Sequence, residues 1–193
     1  MNVTQLIQTL NGNKFMRSDE EVMSFEYTLA ELALHRNTEY LPAVYLVFDD
    51  RCEQHEVMYG LIHFVEAFEI KDQLQAFIDS IDRMILNAKE WTMILLYGIL
   101  NQDLARNLYS QMLHSTHSQN RDLCTHLLRE IAANESPPLS SHAESVISGA
   151  IAIDINIDEI QTDLSSFIKL IQDGNILVLL QDDRPIAEIK PIR

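Results

Sequence analysis

Apolar residues recur at helical spacing along most of the first 134 residues of this chain. Val3, Leu6 and Leu10 begin the pattern, and Ser18 precedes the next apolar run with Glu21 three residues later, as in a capping box. Pro42 suits the first turn of a helix. The spacing predicts eight helices over residues 3–10, 18–33, 42–48, 53–68, 71–86, 90–100, 104–113 and 120–132.

The pattern changes after residue 134. Residues 135–150 are rich in serine and proline, contain little that could form a core, and are predicted to be a linker. Alternating isoleucines from Ile151 to Ile155 then predict a strand, the spacing from Ile157 to Ile171 predicts a helix ended by Gly174, and residues 176–190 predict a β-hairpin.

These elements predict a mostly α protein in which antiparallel helical hairpins stack, without a fixed repeat, in a HEAT-like manner. A small α+β module with the order β-α-β-β follows. The predicted domains are an all-α domain at 1–134, the linker at 135–150 and the C-terminal module at 151–193. At about 43 residues the module is small for an independent domain, so a second copy or the helical domain is expected to cover its sheet.

The net charge of −15 over 193 residues changes the functional picture. It disfavours binding to DNA, RNA and anionic membranes and favours a basic protein partner. Two cysteines, Cys52 and Cys124, are too few for a disulfide framework and suit a reducing compartment. No segment is predicted to be a signal peptide or to span a membrane, so we expect a cytoplasmic protein.

The predicted helix at 53–68 carries polar side chains on one side, opposite a broad apolar face. Acids with a tyrosine and histidines suit recognition of a basic protein surface, although a solvated helix face would look the same. The candidate partner-binding residues are Asp49, Asp50, Glu53, His55, Tyr59, His63 and Glu66.

Other kinds of site have less support. His63 and Glu66 could share a metal ion, but His55 lies about 12 Å from His63 along the helix. The sequence contains no Gly-rich phosphate loop, GxSxG or HExxH motif. We therefore predict no enzyme, no metal and no cofactor. Trp91 lies in an apolar helix and is expected to be buried, with a partner for its indole N–H.

Two stretches carry a resemblance to a known family. FDDRCEQHEVMYGLIHFVEAFEI, residues 48–70, and KEWTMILLYGILNQD, residues 89–103, resemble immunity family 30 of bacterial polymorphic toxin systems, over about residues 24–115. The resemblance implies a small, intracellular, non-enzymatic protein that binds a toxin domain and blocks it. The first hypothesis is therefore an immunity protein that masks a basic toxin surface.

The C-terminal module resembles the N-terminal module of Phd/YefM-type antitoxins, on residues 157–192 and especially the ending PIAEIKP. That resemblance implies a homodimer through residues 151–193 and binding of operator DNA. An alternative hypothesis is thus a DNA-binding autoregulator, although eight acidic residues against four basic ones in this module disfavour it. A fusion scaffold with one inactive part is a third. The candidate DNA-binding residues are Lys169, Arg184, Lys190 and Arg193.

Overall fold

A computed structural model describes residues 2–116, 118–172, 175–182 and 184–191, without the side chains of residues 118, 161 and 162. Within these ranges the chain is mostly helical with a small C-terminal α+β module, which confirms the predicted fold class. The helices are α1 (Val3–Asn13), α2 (Asp19–Ala33), α3 (Leu41–Tyr45), α4 (His55–Glu66), α5 (Ile70–Met84), α6 (Lys89–Asn101), α7 (Asp103–Ser115), α8 (Ser118–Asn134), α9 (Leu139–Ala150), α10 (Ile157–Thr162) and α11 (Leu164–Gln172). The strands are β1 (Ala152–Asn156), β2 (Ile176–Gln181) and β3 (Arg184–Ile189). Among the described residues, no helix combines the length and apolar character needed to cross a bilayer.

Local hydrogen bonds explain where the first helices begin. The Asn2 side chain accepts a hydrogen bond from the Gln5 backbone and caps α1. Ser18 caps α2 as predicted, accepting from the Glu21 N–H at 3.3 Å. The Glu21 carboxylate, however, accepts from the Arg17 N–H at 2.8 Å, one residue before the position that a capping box requires.

One aromatic cluster fills the centre of the helical core. Phe48 packs on Trp91 with ring centroids 5.8 Å apart, and Tyr45 meets Phe77 edge to face at 5.7 Å. Phe77 in turn lies 6.3 Å from Tyr109 of α7. Because these rings come from α3, the segment after it, α5, α6 and α7, the cluster joins the middle helices into one core.

The expected lack of core residues in 135–150 is wrong. Residues 139–150 form α9, which packs against α7 and α8 and buries Ala143, Val146 and Ala150. These residues recur at helical spacing and so share one face of α9. Because their side chains are short, they are buried only where the backbone of α9 comes close to its neighbours. Gly149 has the same role, because a Cβ there would collide with the Ser110 Oγ of α7. The division into domains at this point stays a prediction.

The C-terminal module has the predicted β-α-β-β order. β1 pairs with β2 in parallel and β2 pairs with β3 in antiparallel, with β2 in the centre. The predicted single helix is divided at Asp163, because its carboxylate accepts a hydrogen bond from the Ser166 N–H at 3.2 Å and so starts a new helix, α11. Gly174, the expected helix end, lies outside the described residues.

Candidate functional site

Helix α4 presents one buried face and one exposed face, as its sequence predicts. Its apolar residues Met58, Leu61 and Val65 are at most 1% exposed. The opposite side carries four exposed side chains, which we call the α4 ridge: His55, Tyr59, His63 and Glu66. The structure thus brings four of the seven candidate residues together on the surface of one helix.

Trp91 of α6 supports the N-terminal half of the α4 ridge. The indole is 1% exposed, and the rings of His55 and Tyr59 lie 5.4 and 5.3 Å from it. Burial of Trp91 is confirmed. None of the described residues accepts a hydrogen bond from its indole N–H, and the expected partner stays a prediction. Shape and ring contacts therefore position this part of the ridge.

The C-terminal half of the ridge is held by a side-chain pair. His63 Nδ1 lies 3.4 Å from a carboxylate oxygen of Glu66, and both side chains are more than half exposed. No group of three or more His, Cys, Asp or Glu side chains within the described ranges is arranged to hold a metal ion. The pair forms an exposed polar surface that ends in the Glu66 carboxylate.

Asp49 does not lie on this surface. Its side chain is 0% exposed, accepts hydrogen bonds from Arg51 Nε and Nη2 at 2.8 Å, and lies 3.1 Å from Lys14 Nζ. Burial alone would raise the pKa of Asp49, but the hydrogen bonds from Arg51 and Lys14 outweigh it and lower the pKa to about 2. Asp49 therefore holds the α1–α2 connection against the segment before α4, and in this conformation a partner cannot reach it.

Asp50 stabilises the ridge indirectly, through helix α6. Its two carboxylate oxygens accept hydrogen bonds from the Glu90 and Trp91 N–H groups at 3.1 and 3.3 Å, and so cap the start of α6. Asp50 thereby fixes the helix that carries Trp91. Glu53 is exposed just before α4, and its own N–H donates to the Phe15 carbonyl at 2.9 Å. Of the three acids before α4, Glu53 is the most exposed.

A groove of about 560 Å³ runs beside the ridge, between α4, α5 and α6; we call it the central groove. Tyr59, His63 and Glu66 form part of its wall. Most of the lining is apolar, and Glu66 supplies the carboxylate among the described residues that line it. The lining residues are Tyr45, Tyr59, Ile62, His63, Val65, Glu66, Ile70, Gln73, Leu74, Phe77, Ile94, Leu95, Gly98, Ile99, Gln102 and Ala105.

The sequence analysis missed this groove for a physical reason. Ile70, Ile94 and Ile99 occupy apolar positions of their helices, which predict core packing, and they are only partly buried because the helices leave a gap there. Gln73 spans part of the gap, and its backbone carbonyl accepts from the Tyr45 hydroxyl at 3.2 Å. No sequence signal reports such a gap, since it depends on how three helices are spaced.

The described candidate DNA-binding residues lie in different parts of the C-terminal module. Lys169 is exposed on α11, and Arg184 is exposed at the start of β3. Lys190 pairs with Glu188 at 3.2 Å, which offsets its charge. Arg193 lies outside the described residues.

A comparison with protein families gives one result. The family model described as Immunity protein 30 matches residues 12–109, which is just over half of the chain. No curated protein and no solved structure matches the chain. Nothing in these comparisons supports the resemblance of residues 151–193 to Phd/YefM antitoxins. The match covers α2 to α6 in full, and with them the α4 ridge and Trp91.

Proposed function

Because the chain belongs to the Immunity protein 30 family, we propose that it binds the toxin domain of a bacterial toxin system and neutralises it without chemistry of its own. One structural observation supports the proposal in addition to the family match. The α4 ridge lies beside the mostly apolar central groove, and both fall within the matched residues. A tyrosine over a buried tryptophan, next to an apolar recess, is the kind of anchor that protein interfaces use.

The proposed mechanism is masking of a basic toxin surface. The net charge of −15 accelerates the encounter with a cationic partner, and Glu53 and Glu66 are exposed acids at the two ends of α4. Tyr59 and the central groove then exclude water from the contact and supply most of the affinity. Asp49 and Asp50 act indirectly, because they hold the parts of the fold on which the ridge rests. We place this interaction in the cytoplasm, consistent with two buried, unpaired cysteines.

The proposal can be tested with the toxin domain encoded in the neighbouring gene. Co-production of this protein should restore growth of cells that make the toxin. The double variant E53K/E66K should bind the purified toxin domain at least about tenfold more weakly at low salt, since two attractive charges become repulsive. If growth still fails when the wild-type protein is folded and abundant, the proposed function is wrong.

A matched control separates local from general charge effects. The variant D122K/E144K changes the net charge by the same amount, at exposed residues of α8 and α9. It should weaken binding much less than E53K/E66K. Equal losses in the two variants would mean that total charge drives binding and that the ends of α4 are not a specific contact.

The C-terminal module has a separate proposed role in self-association. None of the nine residues of α11, all of which the structure describes, is buried, and Leu164 and Ile168 are 58% and 45% exposed. We propose that a second copy covers this face. Sedimentation velocity should show a dimer that L164S/I168S dissociates, and a monomeric wild type would refute this role. Nothing favours the alternative of operator binding.

A further inference from the structure

Helix α2 carries a second apolar stripe on the side that faces away from the core. Met23, Tyr27 and Leu34 are 61%, 66% and 74% exposed, and Ala30 between them is exposed as well. Their spacing of four, three and four residues places all four on one line along the helix. The line is about 16 Å long, or about three helical turns. Scattered apolar residues on a surface are ordinary, but a continuous stripe marks an interaction site.

This stripe borders a groove between α2 and α4 of about 460 Å³. Leu29 of α2 faces Gly60 of α4, and Arg36 after α2 donates to the Ala67 carbonyl after α4 at 3.3 Å. The two helices therefore run side by side in the same direction. Ala30 belongs to both the stripe and the groove lining, so the two adjoin, and we call them together the α2 surface. His63 of the α4 ridge lines this groove too, which makes the α2 surface continuous with the ridge.

The charges around the stripe identify the kind of partner. Helix α2 contains five acidic residues and no lysine or arginine. At 100° per residue, Glu20 and Glu31 lie along one side of the stripe, and Asp19 and Glu26 along the other. A second copy of this chain would bring two such acidic borders together, which disfavours self-association here. An apolar row with lysine or arginine on both sides is complementary to this pattern.

We propose that the α2 surface binds an amphipathic helix of the toxin domain, with apolar side chains on Met23, Tyr27 and Leu34 and basic side chains against the acidic borders. A helix suits the site because the stripe is straight and about three turns long. This inference rests on the proposed function and adds to it that the toxin contacts α2 as well as α4. Tyr27 would be the central anchor, since an exposed tyrosine in an apolar row is a frequent hot spot.

The test uses the full-length protein and the purified toxin domain of the neighbouring gene, with affinity measured by calorimetry. The variant M23S/Y27A/L34S should bind at least about thirtyfold more weakly, as expected when an anchor residue is lost. The control L86S/L104S removes two equally exposed leucines after α5 and on α7 and should bind like the wild type. Because all five positions are exposed, both variants should keep the wild-type circular dichroism spectrum and melting temperature.

A second variant tests the acidic borders. E20K/E31K should slow association with the toxin domain at low salt, and the difference from the wild type should shrink as salt is added. If the wild type binds the toxin and the triple variant binds it equally tightly, the α2 surface is not a toxin contact, and the proposed function still stands. Absence of toxin binding by the wild type would overturn both. A wild-type dimer that the triple variant abolishes would assign the surface to self-association and also overturn the inference.

Discussion

Replacing Asp49 by asparagine should change the resistance of this protein to acid. The Asp49 carboxylate is fully buried between Arg51 and Lys14, which hold its pKa at about 2 against an ordinary value of 3.8. A carboxylate with a lowered pKa stabilises the fold at pH values above its ordinary pKa. This contribution is lost as the pH falls from about 4 towards 2, because the unfolded chain then binds a proton that the folded chain does not.

The size of the effect follows from the two pKa values. Their difference corresponds to about 2 kcal/mol of unfolding free energy at neutral pH, of which about half is lost by pH 3. Asp49→Asn should also cost about 3 kcal/mol or more at neutral pH, because Lys14, only 15% exposed, loses its partner. Arg51 is 63% exposed and should contribute little to this cost.

Urea unfolding followed by circular dichroism at pH 6, 4.5, 3.5 and 3 tests both statements. The difference in unfolding free energy between wild type and D49N should shrink by about 1 kcal/mol over this range. D122N, which removes an exposed carboxylate of α8, serves as the control and should follow the wild type at every pH. The reasoning about Asp49 fails if the curves of D49N and the wild type stay parallel from pH 6 to pH 3.

Three further outcomes are expected. Asp50→Ala should lower the unfolding free energy by about 1 to 2 kcal/mol and change the tryptophan fluorescence, because the start of α6 loses its cap; an unchanged melting temperature would contradict this. Gly149→Ala should lower the unfolding free energy by at most about 1 kcal/mol, because the Ser110 side chain has to rotate away from the new Cβ while alanine favours the helix; adding Ser110→Ala should remove the loss, and additive losses in unfolding experiments would exclude that contact as the cause. Burial raises the pKa of both thiols, to about 11 for Cys124, so neither Cys52 nor Cys124 should react with a thiol reagent at pH 8 until urea unfolds the chain; rapid native labelling would contradict their burial.

Helical spacing predicted most of the fold because the long amphipathic helices follow one strong local rule. The predicted segment 71–86 appears as α5 at Ile70–Met84, and 90–100 appears as α6 at Lys89–Asn101. Helix α9 was not predicted because its buried residues are alanines and a valine, whose short side chains are buried only when a neighbouring helix comes close. Serine and proline content suggested a linker because composition carries no information about that neighbour.

The candidate site was predictable only where it depended on one helix. The α4 ridge follows from the 100° rotation per residue, and the structure exposes all four of its members. The roles of Asp49 and Asp50 were not predictable, because Lys14 lies 35 residues from Asp49, and Glu90 and Trp91 lie about 40 residues from Asp50. The α2 stripe was visible in the spacing of Met23, Tyr27 and Leu34, but the same spacing would describe a buried face.

The positions of these acids limit how much electrostatic attraction can contribute to the affinity for the toxin domain. Two of the four acidic candidates, Asp49 and Asp50, already stabilise the fold. In the proposed interaction a toxin domain would therefore meet Glu53 just before α4, Glu66 at its end and the acidic borders of α2. Exposed charges of this kind mainly accelerate and orient an encounter, and each adds little affinity in water. Tight neutralisation therefore has to come from apolar contacts around Tyr59, the central groove and the α2 surface. Added salt should accordingly slow association far more than it speeds dissociation, and a dissociation rate that rises steeply with salt would place the affinity in the ion pairs instead.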